Sequence, residues 1–321
     1  CKSPAIHQTH THTHKRPMKL SILTWNVWFD RFAAQQRFQS ILSQTLTLGP
    51  DVACFQEVVP LFISTVYNTP EFSELYDISD DGSGASIRPY GVLMMVKKSH
   101  AAQFEFYDMP TNMGRRLLVA DLPIYNMKIG TVHLESLNQH RLREQQLILS
   151  KRALRSRENA ILCGDFNFCS YRNFHSRPGD KLENESLAEI LPEYIDIWSV
   201  LRPGEPGYTF DSEVNPMIHQ YEQMRYDRVI ARLQQGVGAT SIRLMGMELI
   251  HNPNNSNTTE NDTDLKAQID EAQDLTLDLG KLQQPRQSLP VMCSDHFGIL
   301  AEFEGETSDS STANYMGCGV L

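Results

Sequence analysis

The sequence lacks any apolar run of the roughly 18 residues that a membrane-spanning helix needs, and its polar first 17 residues contain no apolar stretch of a secretory signal. It also lacks a C-x-x-C pair, and no Cys/His spacing fits a zinc site. Its six cysteines lie far apart, at positions 1, 54, 163, 169, 293 and 318. This usage is typical of a reduced, intracellular protein and not of a disulfide scaffold. We therefore expect no transmembrane segment and a nuclear or cytoplasmic location.

Positive charge is also scarce, since 29 Lys and Arg face 39 Asp and Glu for a net charge of −10. The imbalance is local. Residues 252–321 hold 12 acidic and 3 basic side chains, so residues 1–251 are close to neutral. Residues 141–157 carry six basic side chains against one glutamate, which indicates either a solvated helix face or a stripe that faces phosphates. The composition therefore does not exclude a nucleic-acid substrate.

Short apolar runs rich in Val, Ile and Leu fill most of the chain between residues 18 and 304. Strands are predicted for LSILTWNVWF, DVACFQEV, YGVLMMVKK, RRLLVADLPIY, MKIGTVHLES, NAILCGDFNF, MRYDRVIARL and FGILAEFE. Helices are predicted near 33–47, 139–157 and 184–191. Strands with interleaved helices predict a layered α/β domain in which helices cover packed sheets.

Two segments and a terminus depart from this pattern. Residues 1–17 are polar and are expected to be disordered, and residues 305–321 are expected to form a flexible tail. Residues 252–287 are acidic and rich in Asn, which predicts a long surface insertion. We therefore expect one catalytic domain over residues 18–304 with a polar insertion at 252–287.

Polar side chains recur at one end of several predicted strands. They are Asn26, Glu57, His133, Glu135, Asp165, Asn167, Asp227, Asp295 and His296. One such residue is typically a satisfied polar group at a sheet edge, but a repeated pattern predicts that they meet where the strands lie side by side.

The chemistry of this set favours phosphoester hydrolysis. Carboxylate oxygens are hard ligands that suit Mg²⁺ or Mn²⁺. Asn side chains hold a water or a phosphate oxygen without adding negative charge, and an imidazolium beside a carboxylate gives a positive contact to a phosphate. Together they predict a metal-assisted hydrolase in which an activated water attacks phosphorus.

An ordered set of short motifs resembles the endonuclease/exonuclease/phosphatase superfamily. The motifs are TWN, QE, HLES, GDFN, YDR and SDH, and longer stretches such as NMGRRLLVADL and GYTFDSEVNPM resemble its 5′-tyrosyl-DNA phosphodiesterase group, in plant and protist forms. The resemblance implies a four-layer α/β sandwich of the DNase I type, with two packed mixed sheets flanked by helices. It also implies hydrolysis of the 5′-phosphotyrosyl bond between a DNA end and a trapped topoisomerase II, in DNA repair.

The same resemblance implies a role for each polar residue. Glu57 would bind Mg²⁺ with help from Asn26, and Asp295 would complete the metal shell or the histidine network. Asp165 would deprotonate the attacking water. The other implied roles are phosphate or water binding by Asn167, transition-state contact by His296, orientation of that histidine by Asp227, and substrate contact or support by His133, Glu135 and Ser136.

The chain departs from the animal members of this group at two places where they carry Arg. It has Leu137 and Asn138 after HLES, and Phe168 and Cys169 after GDFN. We expect Arg141, Arg143 or Arg172 to take over the DNA contacts. The departures leave open the same chemistry on another phosphoester, such as an inositol phosphate, a sphingolipid or an RNA end, and a binding-only pseudoenzyme as a third reading.

The expected partners are single-stranded DNA ends with a 5′ tyrosyl adduct, and the expected assembly is a monomer. The last four residues, CGVL, fit a loose prenylation pattern at Cys318. No basic residues precede them to supply a second membrane signal.

Overall fold

The computed structural model describes residues 15–87, 89–171, 181–250 and 290–308. Within these residues, six strands form the first sheet, in the spatial order β13 (Val237–Met245), β16 (Gly298–Ser308), β1 (Lys15–Asn26), β2 (Val52–Val58), β4 (Gly91–Lys97) and β3 (Tyr76–Ile78). The second sheet has the order β5 (Gln103–Asp108), β6 (Arg116–Leu122), β7 (Met127–His133), β8 (Asn159–Asp165), β12 (Asp227–Arg232) and β9 (Ile195–Asp196).

Two short ribbons and a set of helices complete the fold. The ribbons pair β10 (Phe210–Asp211) with β11 (Gln223–Met224), and β14 (Leu249–Ile250) with β15 (Val291–Met292). The helices are α1 (Ala34–Leu48), α2 (Pro60–Tyr67), α3 (Pro70–Leu75), α4 (His140–Leu154), α5 (Glu183–Ile190) and α6 (Ile197–Leu201). In the described part of the chain, no helix is long and apolar enough to cross a membrane.

Alternating side chains of each sheet divide the core into layers, because successive residues of a strand point to opposite faces. In β1, Leu20 and Ile22 pack between the two sheets, whereas Leu23 and Trp25 pack against the helices on the outer face. A third cluster lies between the outer face of the second sheet and α4, with Leu147 and Leu154 at its centre. The order of layers is therefore helix, sheet, sheet, helix, which confirms the predicted four-layer sandwich.

The predicted strands and helices are all present, and both sheets are mixed. β1 runs parallel to β2 and β7 runs parallel to β8, while the other strand pairs are antiparallel. The β1–β16 ladder extends past the expected domain limits at 18 and 304. Lys15 pairs with Ser308 at the far end of the β1–β16 ladder, because backbone pairing continues past the last apolar side chains. The predicted insertion at 252–287 and most of the predicted tails lie outside the described residues.

The cysteines of the described region agree with a reduced protein. Cys54, Cys163, Cys169 and Cys293 are free and buried. Cys318 and the proposed prenylation site lie outside the described residues.

Candidate active site

The polar residues predicted at strand ends meet at one end of the sandwich. The parallel pairs β1–β2 and β7–β8 bring their carboxyl ends to the same edge. β12 is antiparallel to β8, so Asp227 lies directly opposite Asp165. β16 is antiparallel to β1, so His296, just before it, lies at the end of β1. The strand order thus builds one site from both sheets.

Local backbone geometry aims these side chains. The β2–β4 ladder shifts register between Phe55 and Val58, and Glu57 in this bulge has a φ of 58°, a conformation that is uncommon for residues other than glycine. Asn167 has a φ of 55°. Gly164 lies so close to β7 that a Cβ would be 2.0 Å from the carbonyl oxygen of Val132. Positive φ at non-glycine residues typically clusters at functional sites, where the surrounding fold enforces it.

Asn26 links the two carboxylates of the centre. Its side-chain amide donates to Oδ2 of Asp165 at 3.0 Å and to Oε1 of Glu57 at 3.3 Å. The Phe29 backbone N–H donates to Oε2 of Glu57 at 3.0 Å, and the Asn167 backbone N–H donates to Oδ1 of Asp165 at 2.8 Å. These donors are neutral, so they fix the position of two carboxylates without cancelling their charge.

A histidine–aspartate pair forms the second part of the site. Nδ1 of His296 lies 2.7 Å from Oδ2 of Asp227, which is fully buried. Burial alone would lower the pKa of His296, but the charge and hydrogen bond of Asp227 outweigh it and raise that pKa well above its usual value. The imidazole is therefore a protonated, positively charged group at neutral pH, and its Nε2 remains for another acceptor.

His133 is the opposite case, a neutral histidine. Burial, followed by the charge of Arg115, lowers the pKa of His133 to about 3. Nη1 of Arg115 lies 2.9 Å from Nδ1 of His133. Because a guanidinium can only donate, Nδ1 accepts and the ring proton is on Nε2. That Nε2 faces Oδ2 of Asp165 at 3.5 Å and Oε1 of Glu57 at 3.8 Å.

The donor set fits a hard divalent cation. Burial, followed by the nearby charge of Asp295, raises the pKa of Glu57 to about 7, and burial raises the pKa of Asp295. Crowded, desolvated carboxylates of this kind are relieved by a bound Mg²⁺. Asp165, Asp227 and His296 also offer ligand atoms within 4.8 Å of one another. In this second group Nδ1 of His296 is bonded to Asp227, so the two groups are alternative candidate sites for a cation.

Some predicted substrate-binding residues instead support the site. Glu135 is fully buried and accepts hydrogen bonds from Thr111 and from the backbone N–H of Asn112. Four N–H bonds of Arg143 go to Glu183 and to the carbonyl oxygens of Glu135 and Leu137. Arg143 thus ties α4 to the loop after β7, and its guanidinium is engaged inside the fold.

The other residues that were considered for substrate binding lie in different surroundings. The Ser136 hydroxyl accepts from Nη2 of Arg115 at 2.9 Å, so it helps to hold that cation. Arg141 is exposed in the first turn of α4, and Arg172 lies outside the described residues. Leu137 is exposed, whereas Phe168 and Cys169 are buried.

Three supporting residues were not predicted. Arg115 lies in the quoted NMGRR stretch and lies over the ring of Tyr90 at 5.2 Å. Thr209 lies in the quoted GYTF stretch and accepts a hydrogen bond from the backbone of Asp227. Arg37 is buried in α1 and donates to carbonyl oxygens of the loop that carries Phe29. The sequence motifs that contain Arg115 and Thr209 could have indicated these two residues, whereas Arg37 lies in no such motif.

Comparison with known families agrees with this geometry. The model of the Endonuclease/Exonuclease/phosphatase family matches residues 23–296, which run from the carboxyl end of β1 to the residue pair that precedes β16. The chain belongs to this family. The match ends at His296, so every polar residue of the site lies inside the matched range.

Two curated proteins show a more specific similarity to this chain. Tyrosyl-DNA phosphodiesterase 2 of Gallus gallus is 28% identical over 228 residues, which cover 66% of this chain and 56% of that protein. The Danio rerio protein is 28% identical over 249 residues, covering 72% and 62%. The chain thus spans somewhat more than half the length of these curated relatives.

Solved structures of the family superimpose on the sandwich. The D. rerio tyrosyl-DNA phosphodiesterase 2 in complex with a single-stranded DNA product has a TM-score of 0.62 at 25% identity, over 89% of this chain and 98% of that one. The truncated Caenorhabditis elegans enzyme also gives 0.62, at 18% identity, over 89% and 97%. The second likeness supports the fold alone.

Proposed function

We propose that the chain is a Mg²⁺-dependent phosphodiesterase that hydrolyses 5′-phosphotyrosyl bonds between DNA ends and a trapped topoisomerase II. The observation that carries the proposal is the joining of Glu57, Asn26 and Asp165 by hydrogen bonds at one end of the sandwich. A protonated His296–Asp227 pair completes the site on the facing strands. This is the set of groups that a water-mediated attack on a phosphodiester requires.

Asp165 acts as the general base for the attacking water. Its Oδ1 is fixed by the backbone of Asn167 and its Oδ2 by Asn26, so the carboxylate is oriented before substrate arrives. The side-chain amide of Asn167 donates to the carbonyl oxygen of Leu134 at 2.9 Å, which holds the loop after β8 in place. A positioned base of this kind contributes to the rate of proton transfer.

His296 stabilises the negative charge that develops on the phosphoryl oxygens. Asp227 accepts the hydrogen bond from Nδ1–H, so Nε2–H is the donor that remains for the substrate. A charge-assisted hydrogen bond to a phosphoryl oxygen strengthens as negative charge builds up in the transition state. The neutral His133 faces Asp165 from the other side of the site. Arg115 holds His133 in place through Nδ1.

Glu57 and Asn26, with Asp295, would hold the metal ion. When bound, Mg²⁺ supplies positive charge to the phosphoryl oxygens and lowers the pKa of a nearby water. The raised pKa of Glu57 supports this assignment because it reports an excess of buried negative charge.

The DNA substrate is supported by the likeness to tyrosyl-DNA phosphodiesterase 2 and by the single-stranded DNA product in one solved relative. We propose action on single-stranded 5′ ends, as a monomer, in DNA repair in the nucleus.

A second substrate class is favoured by one observation. Leu137, Phe168 and Cys169 stand where the animal enzymes have arginines, and Arg143 is engaged inside the fold. The same chemistry on another phosphoester is therefore the alternative.

The test is release of tyrosine from a 5′-phosphotyrosyl oligonucleotide, with Mg²⁺ and with EDTA. An inositol polyphosphate, sphingomyelin and a 5′-tyrosyl RNA are assayed in parallel. We expect Mg²⁺-dependent cleavage of the oligonucleotide, restored after EDTA by added Mg²⁺. Turnover of another ester with no oligonucleotide cleavage would reject the substrate and keep the chemistry. No turnover of any ester would reject the function.

A further inference from the structure

Thr209 contacts the chain on both sides of the His296–Asp227 pair. Its hydroxyl Oγ1 accepts a hydrogen bond from the backbone N–H of Asp227 at 3.0 Å. Its carbonyl oxygen accepts one from the backbone N–H of Phe297, the residue after His296, at 2.7 Å. Thr209 is fully buried, so no solvent competes for these two bonds. A single residue thus joins β12, which carries the aspartate, to the segment that carries the histidine.

The backbone of Thr209 is itself anchored. Its N–H donates to the carbonyl oxygen of Met224 in the β10–β11 ribbon at 2.9 Å. The His296 carbonyl oxygen, on the other side of the Phe297 peptide, accepts from the indole of Trp25 at 3.0 Å. The peptide unit after His296 is therefore held from both sides, and Thr209 supplies the side that also reaches Asp227.

Asn215, in the turn after β10, supports the same segment. Its side-chain amide donates to the carbonyl oxygen of Ser294 at 2.8 Å, and its oxygen accepts from the backbone of Met217 at 3.0 Å. Ser294 lies two residues before His296. The segment 208–217 therefore contacts the histidine loop through Thr209, through Asn215 and through the Phe210 ring, whose centroid lies 5.1 Å from that of the His296 ring. Thr209 is the one of these three that also has a hydrogen bond to Asp227.

We propose that Thr209 is a positioning residue that sets the distance between Asp227 and His296. The inference rests on the proposed function, because it concerns the same site. Without the hydroxyl, the backbone N–H of Asp227 is buried with no acceptor, and β12 must shift to find one. A shift of a few tenths of an ångström lengthens the His296–Asp227 hydrogen bond of 2.7 Å. Asp227 then holds the Nδ1 proton less firmly, and the imidazole turns away from the phosphate.

The test compares Thr209→Val, which keeps the shape and removes the hydroxyl, with Thr209→Ser, which keeps the hydroxyl. Thr45→Val is the matched control, because Thr45 is also fully buried but lies in α1, where its side-chain hydroxyl donates to the carbonyl oxygen of Ile41. Thr209→Ala replaces the valine variant if that variant does not fold. On the phosphotyrosyl oligonucleotide we expect Thr209→Val to lower kcat about 10- to 100-fold with little change in KM. Thr209→Ser should restore most of the rate.

A second readout does not depend on turnover. In protein labelled with ¹⁵N-histidine, the Nδ1 proton shared by His296 and Asp227 should give a low-field ¹H resonance, identified by its loss in His296→Gln. We expect this resonance to move upfield or vanish in Thr209→Val and to persist in Thr209→Ser and Thr45→Val. If Thr209→Val keeps both the resonance and kcat and only the melting temperature falls, Thr209 is a packing residue and the proposal is wrong. If the wild type turns over no ester, the resonance still decides the role of Thr209.

Discussion

The two ends of strand β2 carry carboxylates in opposite surroundings. Asp51 immediately precedes the strand and Glu57 lies near its other end, about 20 Å away at the usual rise of a strand. Asp51 accepts from the backbone and hydroxyl of Ser21, both at 2.8 Å, and from Nζ of Lys97 at 3.0 Å. Nε2 of His100 lies 3.3 Å away. Burial opposes ionisation, but these donors outweigh it and lower the pKa of Asp51.

Glu57 has neutral donors and a second carboxylate for neighbours, so its pKa is raised to about 7. The two carboxylates differ in how the protein balances their charge. The negative charge of Asp51 is balanced within the protein, since Lys97 forms an ion pair with it. At the other end, Glu57, Asp295, Asp165 and Asp227 surround one protonated histidine, and the buried Arg37 acts on Glu57 and Asp295. The carboxylates outnumber these two cations, and the excess negative charge favours a cationic ligand. Both groups are carboxylates, so the difference lies in their burial and in their neighbours.

The strongest test of this comparison is Asp165→Asn. The amide keeps the shape of the side chain and one of its two acceptor oxygens. Its NH₂ group cannot accept the other hydrogen bond, and the side chain can no longer act as a base toward water. We expect kcat on the phosphotyrosyl oligonucleotide to fall about 10²- to 10⁴-fold, with the melting temperature unchanged or raised, because one crowded charge is removed. Asp121→Asn is the control. It removes a carboxylate of the same sheet that is paired with Arg157 at 2.8 Å, and it should leave kcat unchanged. Equal loss in both variants would reject the base assignment.

A smaller effect is expected for Glu57→Gln, measured as the Mg²⁺ concentration that gives half-maximal activity. Removing a carboxylate ligand should raise this concentration about 10- to 100-fold, as losses at metal sites generally do. The rate at saturating Mg²⁺ should recover in part. Calorimetric titration of Mg²⁺ into the protein without substrate measures the same change. A Glu57→Gln enzyme with unchanged Mg²⁺ affinity would place the metal elsewhere, and the Asp165, Asp227 and His296 group would be the next assignment.

The sequence predicted the layers and the central strands well, because buried strands of this family are long and almost wholly apolar. It did not predict β5, whose residues are mostly exposed or half-exposed. It also did not predict β13, which is an edge strand and pairs with β16 on one side. Edge strands carry a weaker apolar signal, since one side is open to solvent. The two-residue ribbons were also missed, because pairs that short have no periodicity to detect.

Asp165 and His296, whose roles in the reaction stay predictions, were expected at the site from the sequence, whereas the residues that hold them in place were not. Residues such as Asp165 and His296 are polar at the end of an apolar run, which is visible in one dimension. Arg143 was assigned to DNA because it lies in a basic stretch, but its helical position turns it inward to Glu183. Thr209 was overlooked because its two bonds connect segments separated by 18 and 88 residues. Contacts of that range depend on the tertiary fold and leave no local pattern.

The smallest expected effect concerns the other end of β2. Asp51→Asn should lower the free energy of unfolding by roughly 1–3 kcal/mol at neutral pH and leave kcat unchanged. The folded pKa of Asp51 is lowered, so its carboxylate stabilises the fold above the unfolded pKa of about 4. That contribution is lost as the pH falls toward the folded pKa. Urea titrations of wild type and variant should therefore converge below about pH 4 and stay separated above it.

The control for this variant is Asp108→Asn, which removes a largely exposed carboxylate paired with Arg116 at 3.0 Å. Exposed pairs contribute about 0–1 kcal/mol, so this change should be small at every pH. A pH-independent loss in Asp51→Asn would mean that the aspartate acts through shape and hydrogen bonding alone. A large fall in kcat would mean that the two ends of β2 are coupled, and the separation between a structural and a functional carboxylate would not hold. Unchanged kcat together with convergence at low pH would establish that Asp51 stabilises the sandwich by its charge while taking no part in the chemistry at the other end.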